Sequence, residues 1–215
     1  MSDEVPLIYL VDDDVSVREG VADLLRSVGL RVEAFASPKE FLDRKRPDAP
    51  GCLILDIRLP GPSGLELQRM LTSSDSQLPI IFISAHGDIP MTVRAIKSGA
   101  IEFLTKPLND QQLLDAVHAG IERDRGRRQE AHTLTELRLR FDTLTQRERE
   151  ILSLVVSGKP NKQIAAHLDL SEMTVKVHRS QAMHKMKAKS VIELVRMADK
   201  LGLSNHEAQP PKLKH

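Results

Sequence analysis

Short apolar runs alternate with amphipathic segments through the first 123 residues of the chain. Five runs have the length of strands: Val5–Val11, Val32–Phe35, Cys52–Leu55, Ile80–Ile83 and Ile101–Thr105. Most are apolar at nearly every position, as expected for strands that are buried on both faces of a sheet. Val32–Phe35 is mixed, which places it nearer an edge. The alternation predicts five β-α pairs with right-handed crossovers, and therefore a doubly wound five-stranded parallel sheet.

Helix start signals separate these strands. Ser16 with Glu19 and Ser63 with Glu66 have the spacing of capping boxes, in which side chain and backbone cap each other. Asn109 begins a weaker version before the last helix of this part.

A different pattern of short helices occupies residues 144–205. Thr145 with Glu148 predicts another capping box, and the stretch Ser157–Pro160 ends the helix that follows it. Lys162–Leu168 is a short helix, separated by a tight turn from a longer one that runs from Glu172 to about Lys187. A short helix, a turn and a capped longer helix form the helix-turn-helix pattern, whose second helix enters the major groove of DNA.

The connecting segment, residues 124–142, begins with a charged run and continues as a predicted linker helix. Leu134, Leu137, Phe141 and Leu144 recur at 3-4-3 spacing. That stripe fits a helix lying on the second domain or a short coiled-coil contact. We therefore divide the chain into an α/β domain (4–123), a linker helix (124–142), an all-α helix-turn-helix domain (143–206) and a disordered tail (207–215).

Charge differs strongly between the two parts, although the chain as a whole has a net charge of only +1. Residues 1–123 carry 13 Lys and Arg against 19 Asp and Glu, whereas the remainder carries 18 against 11. The basic part is the candidate for nucleic acid, although a solvated basic surface has the same composition. One cysteine and the absence of a run of ~20 apolar residues predict a cytoplasmic protein.

Four of the predicted strands end at residues that handle phosphate and metal ions. Asp12, Asp13 and Asp14 follow the first strand, and Asp56, Ser84 and Lys106 follow the others. Each residue alone has an ordinary interpretation as a cap, a turn residue or a surface charge. Because parallel strands bring their carboxyl ends to one edge, the group predicts a crevice for a divalent cation beside a phosphorylated aspartate.

The strand-end motifs resemble those of the receiver domain of two-component response regulators, a flavodoxin-like fold. They are Val11–Asp14, Leu55–Pro60, Ser84–Asp88 and Phe103–Pro107. The resemblance implies that a sensor histidine kinase phosphorylates Asp56. It assigns Mg²⁺ (or Mn²⁺) to Asp12, Asp13, Asp56 and the backbone carbonyl of Arg58. It also implies that Ser84 and Lys106 contact the phosphoryl group, that Phe103 turns inward as a switch, that His86 lies in a nearby loop, and that the Lys106–Pro107 bond is cis.

Motifs in the second part are similar to the DNA-binding domain of the FixJ/NarL family, which is of LuxR type. They are Leu144–Glu148, Asn161–Ala165, Thr174–Arg179 and Lys185–Ser190. By that resemblance the base-facing residues are Lys176, Val177, His178 and Ser180. The phosphate contacts are Thr174, Arg179, Lys185 and Lys189.

Together the two resemblances predict a phosphorylation-activated transcriptional regulator rather than an enzyme. Its receiver would dimerise through residues 89–98, 101–104 and 109–118, and its helix-turn-helix domains would bind promoter DNA and act on RNA polymerase. Three alternatives remain. An aspartate-nucleophile phosphatase would need an acid where Arg58 stands, a phosphorelay intermediate would not need the second domain, and the basic helices suit a protein-binding module as well.

Overall fold

The computed structural model describes residues 5–74, 77–85 and 88–203, which form two compact units divided between Gln129 and Glu130. His86, the predicted tail and the last residues of the predicted helix-turn-helix domain lie outside this description. No helix of the described residues is long and apolar enough to cross a membrane.

The first unit is built on a five-stranded parallel sheet. Its strands are β1 (Leu7–Val11), β2 (Arg31–Phe35), β3 (Gly51–Asp56), β4 (Ile80–Ser84) and β5 (Glu102–Thr105). They lie in the order β2-β1-β3-β4-β5, with every neighbouring pair parallel. Val11 pairs with Leu55, and Ser84 with Thr105. The residues that follow these positions therefore lie along one edge, and the predicted doubly wound sheet is confirmed.

Five helices cover the two faces of the sheet: α1 (Val15–Ser27), α2 (Pro38–Asp43), α3 (Gly64–Ser73), α4 (Ile89–Lys97) and α5 (Asp110–Asp142). Helices α1 and α5 bury their apolar residues with Ile8 and Leu10, and α2, α3 and α4 pack on the opposite face. Tyr9 lies on that opposite face, buried against Phe35 and Phe41, with ring centroids 6.5 and 5.5 Å away.

The capping signals are only partly confirmed. Ser63 and Glu66 form the predicted capping box at the start of α3, as Thr145 and Glu148 do in the second unit. The prediction for α1 is wrong, because the helix begins one residue earlier than Ser16 and Asp14 caps it. The Asp14 carboxylate accepts the backbone N–H groups of residues 16 and 17 at 2.8 and 3.4 Å.

Helix α5 is 33 residues long and continues through the segment predicted as a linker helix. Asp124, the first residue of that segment, is completely buried in the first unit. Its carboxylate accepts the backbone N–H of Gly51 at 3.1 Å and the guanidinium groups of Arg127 and Arg128 at 2.7 and 2.8 Å. The first unit therefore extends beyond residue 123, to Gln129.

The second unit contains the helices α6 (Gln146–Val156), α7 (Asn161–Leu168), α8 (Glu172–Met186) and α9 (Val191–Lys200). Its core is aliphatic, and Leu137 and Leu144 are buried in it with Phe141 packed alongside. These contacts favour the interpretation of the 3-4-3 stripe as a helix lying on the second domain. Between α7 and α8, Asp169 adopts a left-handed conformation and Ser171 caps α8. The helix-turn-helix arrangement is confirmed.

Candidate functional site

Three carboxylates meet at the carboxyl edge of the sheet, just beyond β1 and at the end of β3. Asp12, Asp13 and Asp56 each place a carboxylate oxygen within 4.8 Å of the others. Asp12 and Asp56 are buried, whereas Asp13 is exposed. Hard oxygen ligands of this kind, open to solvent on one side, suit Mg²⁺, which keeps several of its waters when bound.

Lys106 bridges the two buried carboxylates. Its Nζ atom lies 2.6 Å from Oδ2 of Asp12 and 2.6 Å from Oδ2 of Asp56. Burial alone would lower the pKa of Lys106, but its hydrogen bonds to these carboxylates outweigh burial and raise it. Burial raises the pKa of Asp12, with a smaller contribution from the charge of Asp56, and the Lys106 ammonium opposes both. The site thus holds three clustered carboxylates, two of them bridged by the Lys106 ammonium.

Backbone groups and one arginine orient the acidic residues. The N–H of Asp14 donates to Oδ1 of Asp12 at 2.9 Å, and the guanidinium of Arg18 donates to the carbonyl of Asp12 at 2.7 Å. The N–H of Arg58 donates to Oδ1 of Asp56 at 3.0 Å. With Lys106 on Oδ2, both oxygens of the Asp56 carboxylate are held in defined positions, as a positioned nucleophile requires.

Gly64, the first residue of α3, lies directly against the backbone of Asp56. Its N–H donates to the carbonyl of Ile57 at 3.0 Å. A Cβ atom added at Gly64 would lie only 2.3 Å from the Asp56 carbonyl oxygen. Sequence reasoning missed this role, although a glycine directly after the helix cap Ser63 was a signal for close backbone approach.

The two predicted switch residues lie on β4 and β5. Ser84 is fully buried, and its carbonyl accepts the backbone N–H of Lys106 at 2.8 Å. The Lys106–Pro107 bond is cis, as expected. Phe103 is partly buried against the core and lines a cleft of about 480 Å³ between β5 and α5, together with Gln112 and Asp115. Ser84 therefore lies at the same sheet edge as the acidic cluster, whereas Phe103 packs against the core and lines this cleft.

One face of α8 in the second unit is open to solvent. Among the predicted base-facing residues, Lys176, Val177 and Ser180 lie on it. Three residues that sequence reasoning did not select share this exposed face at helical spacing: Met173, Gln181 and His184. The helical spacing of the apolar residues could have identified them. Val175, Ala182 and Met186 form the buried side of α8, so residues on the opposite side must be exposed.

The other predicted DNA contacts turn toward neighbouring helices or lie beyond α8. Arg179 donates to Oδ1 of Asn161 on α7 at 2.8 Å, and Lys185 forms an ion pair with Glu148 on α6 at 2.7 Å. His178 is half-buried, and its Nδ1 atom has no hydrogen-bond partner among the described residues. The remaining two are Thr174, whose hydroxyl lies 2.8 Å from that of Ser171, and Lys189, which is exposed after the helix end.

Family models match both parts of the chain. Residues 8–118 match the response regulator receiver domain, and residues 142–198 match the bacterial regulatory proteins of the luxR family. Each match covers one of the two clusters of candidate residues, the strand-end carboxylates and the exposed face of α8.

Similar proteins align with nearly the whole chain, across both units. Nodulation protein W of Bradyrhizobium diazoefficiens is 51% identical over 204 residues, which cover 94% of this chain and 90% of the relative. The response regulator protein TodT of Pseudomonas putida is 48% identical over 201 residues, covering 94% and 88%.

Solved structures of response regulators also match nearly the whole chain. The response regulator StyR is 51% identical with a TM-score of 0.81, covering 91% of this chain and 98% of that one. Full-length FixJ from B. japonicum is 34% identical with a TM-score of 0.56, covering 94% and 99%. With its receiver fold, its strand-end carboxylates and its helix-turn-helix unit, this chain belongs to the two-component response regulators that carry a LuxR-type DNA-binding domain.

Proposed function

We propose that Asp56 accepts a phosphoryl group from a sensor histidine kinase and that this modification controls binding of the second unit to promoter DNA. The observation that carries the proposal is the bridged pair of buried carboxylates. Asp56 is buried and fixed at both oxygens, and Lys106 stands where it can pair with an added phosphoryl oxygen.

The metal ion we propose is Mg²⁺ (or Mn²⁺), held by Asp12, Asp13, Asp56 and the backbone carbonyl of Arg58. Its support is the cluster of three carboxylates, whose oxygens lie within 4.8 Å of one another. Bound there, the ion neutralises charge on an incoming phosphoryl group, which a carboxylate otherwise repels. Lys106 and the Arg58 N–H would hold the two Asp56 oxygens in place.

For activation, we propose that Ser84 and Phe103 respond to the phosphoryl group and that two receivers pair through the α4-β5-α5 face. Support comes from an apolar stripe on α4 that is unusually open to solvent. Ile89, Val93 and Ile96 are 80%, 44% and 42% exposed and recur at helical spacing. Pairing of two chains would bury this stripe and bring two helix-turn-helix units to adjacent half-sites.

We propose that the exposed face of α8 enters the major groove. Lys176, Val177, His178 and Ser180 are the proposed base-facing set, and Thr174, Arg179 and Lys189 the proposed phosphate contacts; a different role for Lys185 is argued below. We also propose RNA polymerase as a partner, because a regulator bound at a promoter acts on it.

We further propose that the protein is a switch and not a turnover enzyme. Arg58 stands two residues after the nucleophile, where aspartate-nucleophile phosphatases need a second carboxylic acid. Steady hydrolysis of p-nitrophenyl phosphate with Mg²⁺, abolished by Asp56→Asn, would overturn this.

The experiment that tests the main proposal compares wild type with Asp56→Asn. In acetyl phosphate with Mg²⁺, we expect wild type to gain one phosphoryl group by intact mass and to dimerise by light scattering. Asp56→Asn should do neither. Asp43→Asn, which alters an exposed acid at the end of α2, is the matched control and should behave as wild type. Dimerisation of Asp56→Asn that still depends on acetyl phosphate would refute the mechanism.

A further inference from the structure

Lys185 lies near the end of α8, and its amine points toward α6 rather than along the exposed face. Its Nζ atom lies 2.7 Å from Oε2 of Glu148 and 3.3 Å from the carbonyl oxygen of Thr143. Its side chain is only 33% exposed. Lys185 immediately precedes Met186, which is buried in the core, so the helix holds it on the border of the buried side.

Glu148 is a buried carboxylate whose charge needs a partner. The residue is 2% exposed, and the same Oε2 atom accepts the backbone N–H of Thr145 at 2.8 Å. Burial would raise the pKa of Glu148, but Lys185 and the Thr145 N–H together lower it. An unpaired buried carboxylate is strongly unfavourable, so the Glu148 carboxylate needs the Lys185 ammonium beside it.

The core that α8 shares with its neighbours is made mainly of aliphatic side chains and methionine, and hydrophobic contacts of this kind are non-directional. Two polar contacts add direction. Arg179 donates to Asn161 on α7 at 2.8 Å, and Lys185 pairs with Glu148 on α6. Together they hold α8 against α7 and α6 near its middle and near its end.

We propose that Lys185 is a positioning residue: its ion pair with Glu148 sets the rotation of α8, and Lys185 does not neutralise a DNA phosphate. The proposal rests on the proposed function of α8 as the DNA-reading helix. It reverses the expectation from sequence, which counted Lys185 with the phosphate contacts. A cation already paired at 2.7 Å with a buried carboxylate would have to abandon that carboxylate to reach DNA.

Salt dependence separates the two roles, because each phosphate contact adds about 0.9 to the slope of log K against log salt concentration. We would measure binding of the full-length protein to a 30-base-pair duplex of random sequence across a salt series. Lys189→Met, which removes a proposed phosphate contact exposed after the helix end, should lower the slope by roughly 0.9. Lys185→Met should keep the wild-type slope and bind about fivefold to twentyfold more weakly, at a temperature where circular dichroism shows it folded. Lys185→Arg, which keeps the ion pair, should restore the affinity. A slope lowered by roughly 0.9 in Lys185→Met would overturn the proposal.

The wild-type protein supplies a second test that does not depend on whether a variant folds. Reductive methylation followed by mass spectrometry reports how reactive each lysine is with and without the duplex. Lys185 should react slowly in both states, whereas Lys176 should react readily and become protected only when DNA is bound. Ready methylation of free Lys185, with protection by DNA, would refute the proposed role.

The same measurements separate the role of Lys185 from DNA binding itself. If the wild-type protein shows no salt-dependent binding to any duplex, DNA binding itself is wrong. If wild type and Lys189→Met behave as expected and Lys185→Met loses slope, only the role of Lys185 is wrong.

Discussion

Replacement of Gly64 by alanine tests whether the start of α3 must lie against the backbone of Asp56. The added methyl carbon would be 2.3 Å from the Asp56 carbonyl oxygen and 3.0 Å from the Ile57 Cα atom. Real contacts of this kind are not shorter than 3.0 Å, so the helix start or the end of β3 must move by at least about 0.7 Å. That shift strains the Gly64 N–H to Ile57 hydrogen bond and overpacks the site, which costs about 1–3 kcal/mol of unfolding free energy.

The same displacement moves Asp56, the proposed phosphoacceptor. Since a misplacement of about 1 Å can cost on the order of a hundredfold in rate, we expect Gly64→Ala to accept phosphate from acetyl phosphate roughly tenfold to a hundredfold more slowly. The assay follows intact mass against time in Mg²⁺, with urea unfolding alongside. Gly20→Ala is the matched control, because Gly20 lies in α1 with open space around its Cα atom. It should gain up to about 1 kcal/mol and phosphorylate at the wild-type rate. Wild-type kinetics and stability in Gly64→Ala would refute the argument.

Two further predictions concern buried carboxylates. Asp124→Ala leaves the Gly51 N–H without its acceptor and removes a partner from the partly exposed Arg127 and Arg128, and we expect a loss of about 1–3 kcal/mol in urea unfolding of the first unit. Glu122→Ala, which breaks only an exposed ion pair on the same helix, should cost no more than about 1 kcal/mol, and equal losses would contradict the argument. The pKa of Glu148 is lowered from 4.5 by folding, so its contribution to stability is present above pH 4.5 and is lost as the pH falls through the folded-state pKa. The free energy of unfolding of Glu148→Gln should therefore fall less steeply below pH 4.5 than that of wild type. An equally steep fall would count against the Glu148–Lys185 ion pair.

The sequence was sufficient to predict the sheet, the helix-turn-helix and the residues at the strand ends. Asp56 and Lys106 could be found because each follows an apolar run, and the parallel topology then brings strand ends together. Their common geometry, with Nζ 2.6 Å from two carboxylates, needed the structure.

Contacts between distant residues with no periodic signal were not predictable. Asp124 reads as part of a charged run, and only its bond to Gly51, 73 residues away, shows that it belongs to the first unit. Lys185 and Glu148 are 37 residues apart, so their contact gave no signal in the sequence, and the family resemblance assigned Lys185 to DNA. Asp14 displaced Ser16 as the cap of α1 because a carboxylate one residue before the helix reaches two backbone N–H groups.

The buried position of Tyr9 gives the protein a built-in optical probe. It is the only tyrosine in the chain, and the chain has no tryptophan. Because Tyr9 is packed against Phe35 and Phe41 inside the first unit, intrinsic fluorescence reports the unfolding of that unit alone. A tryptophan placed at the exposed Leu139 would add a second signal from the other unit. The two emissions would then show whether the units melt together or one after the other, without any external label.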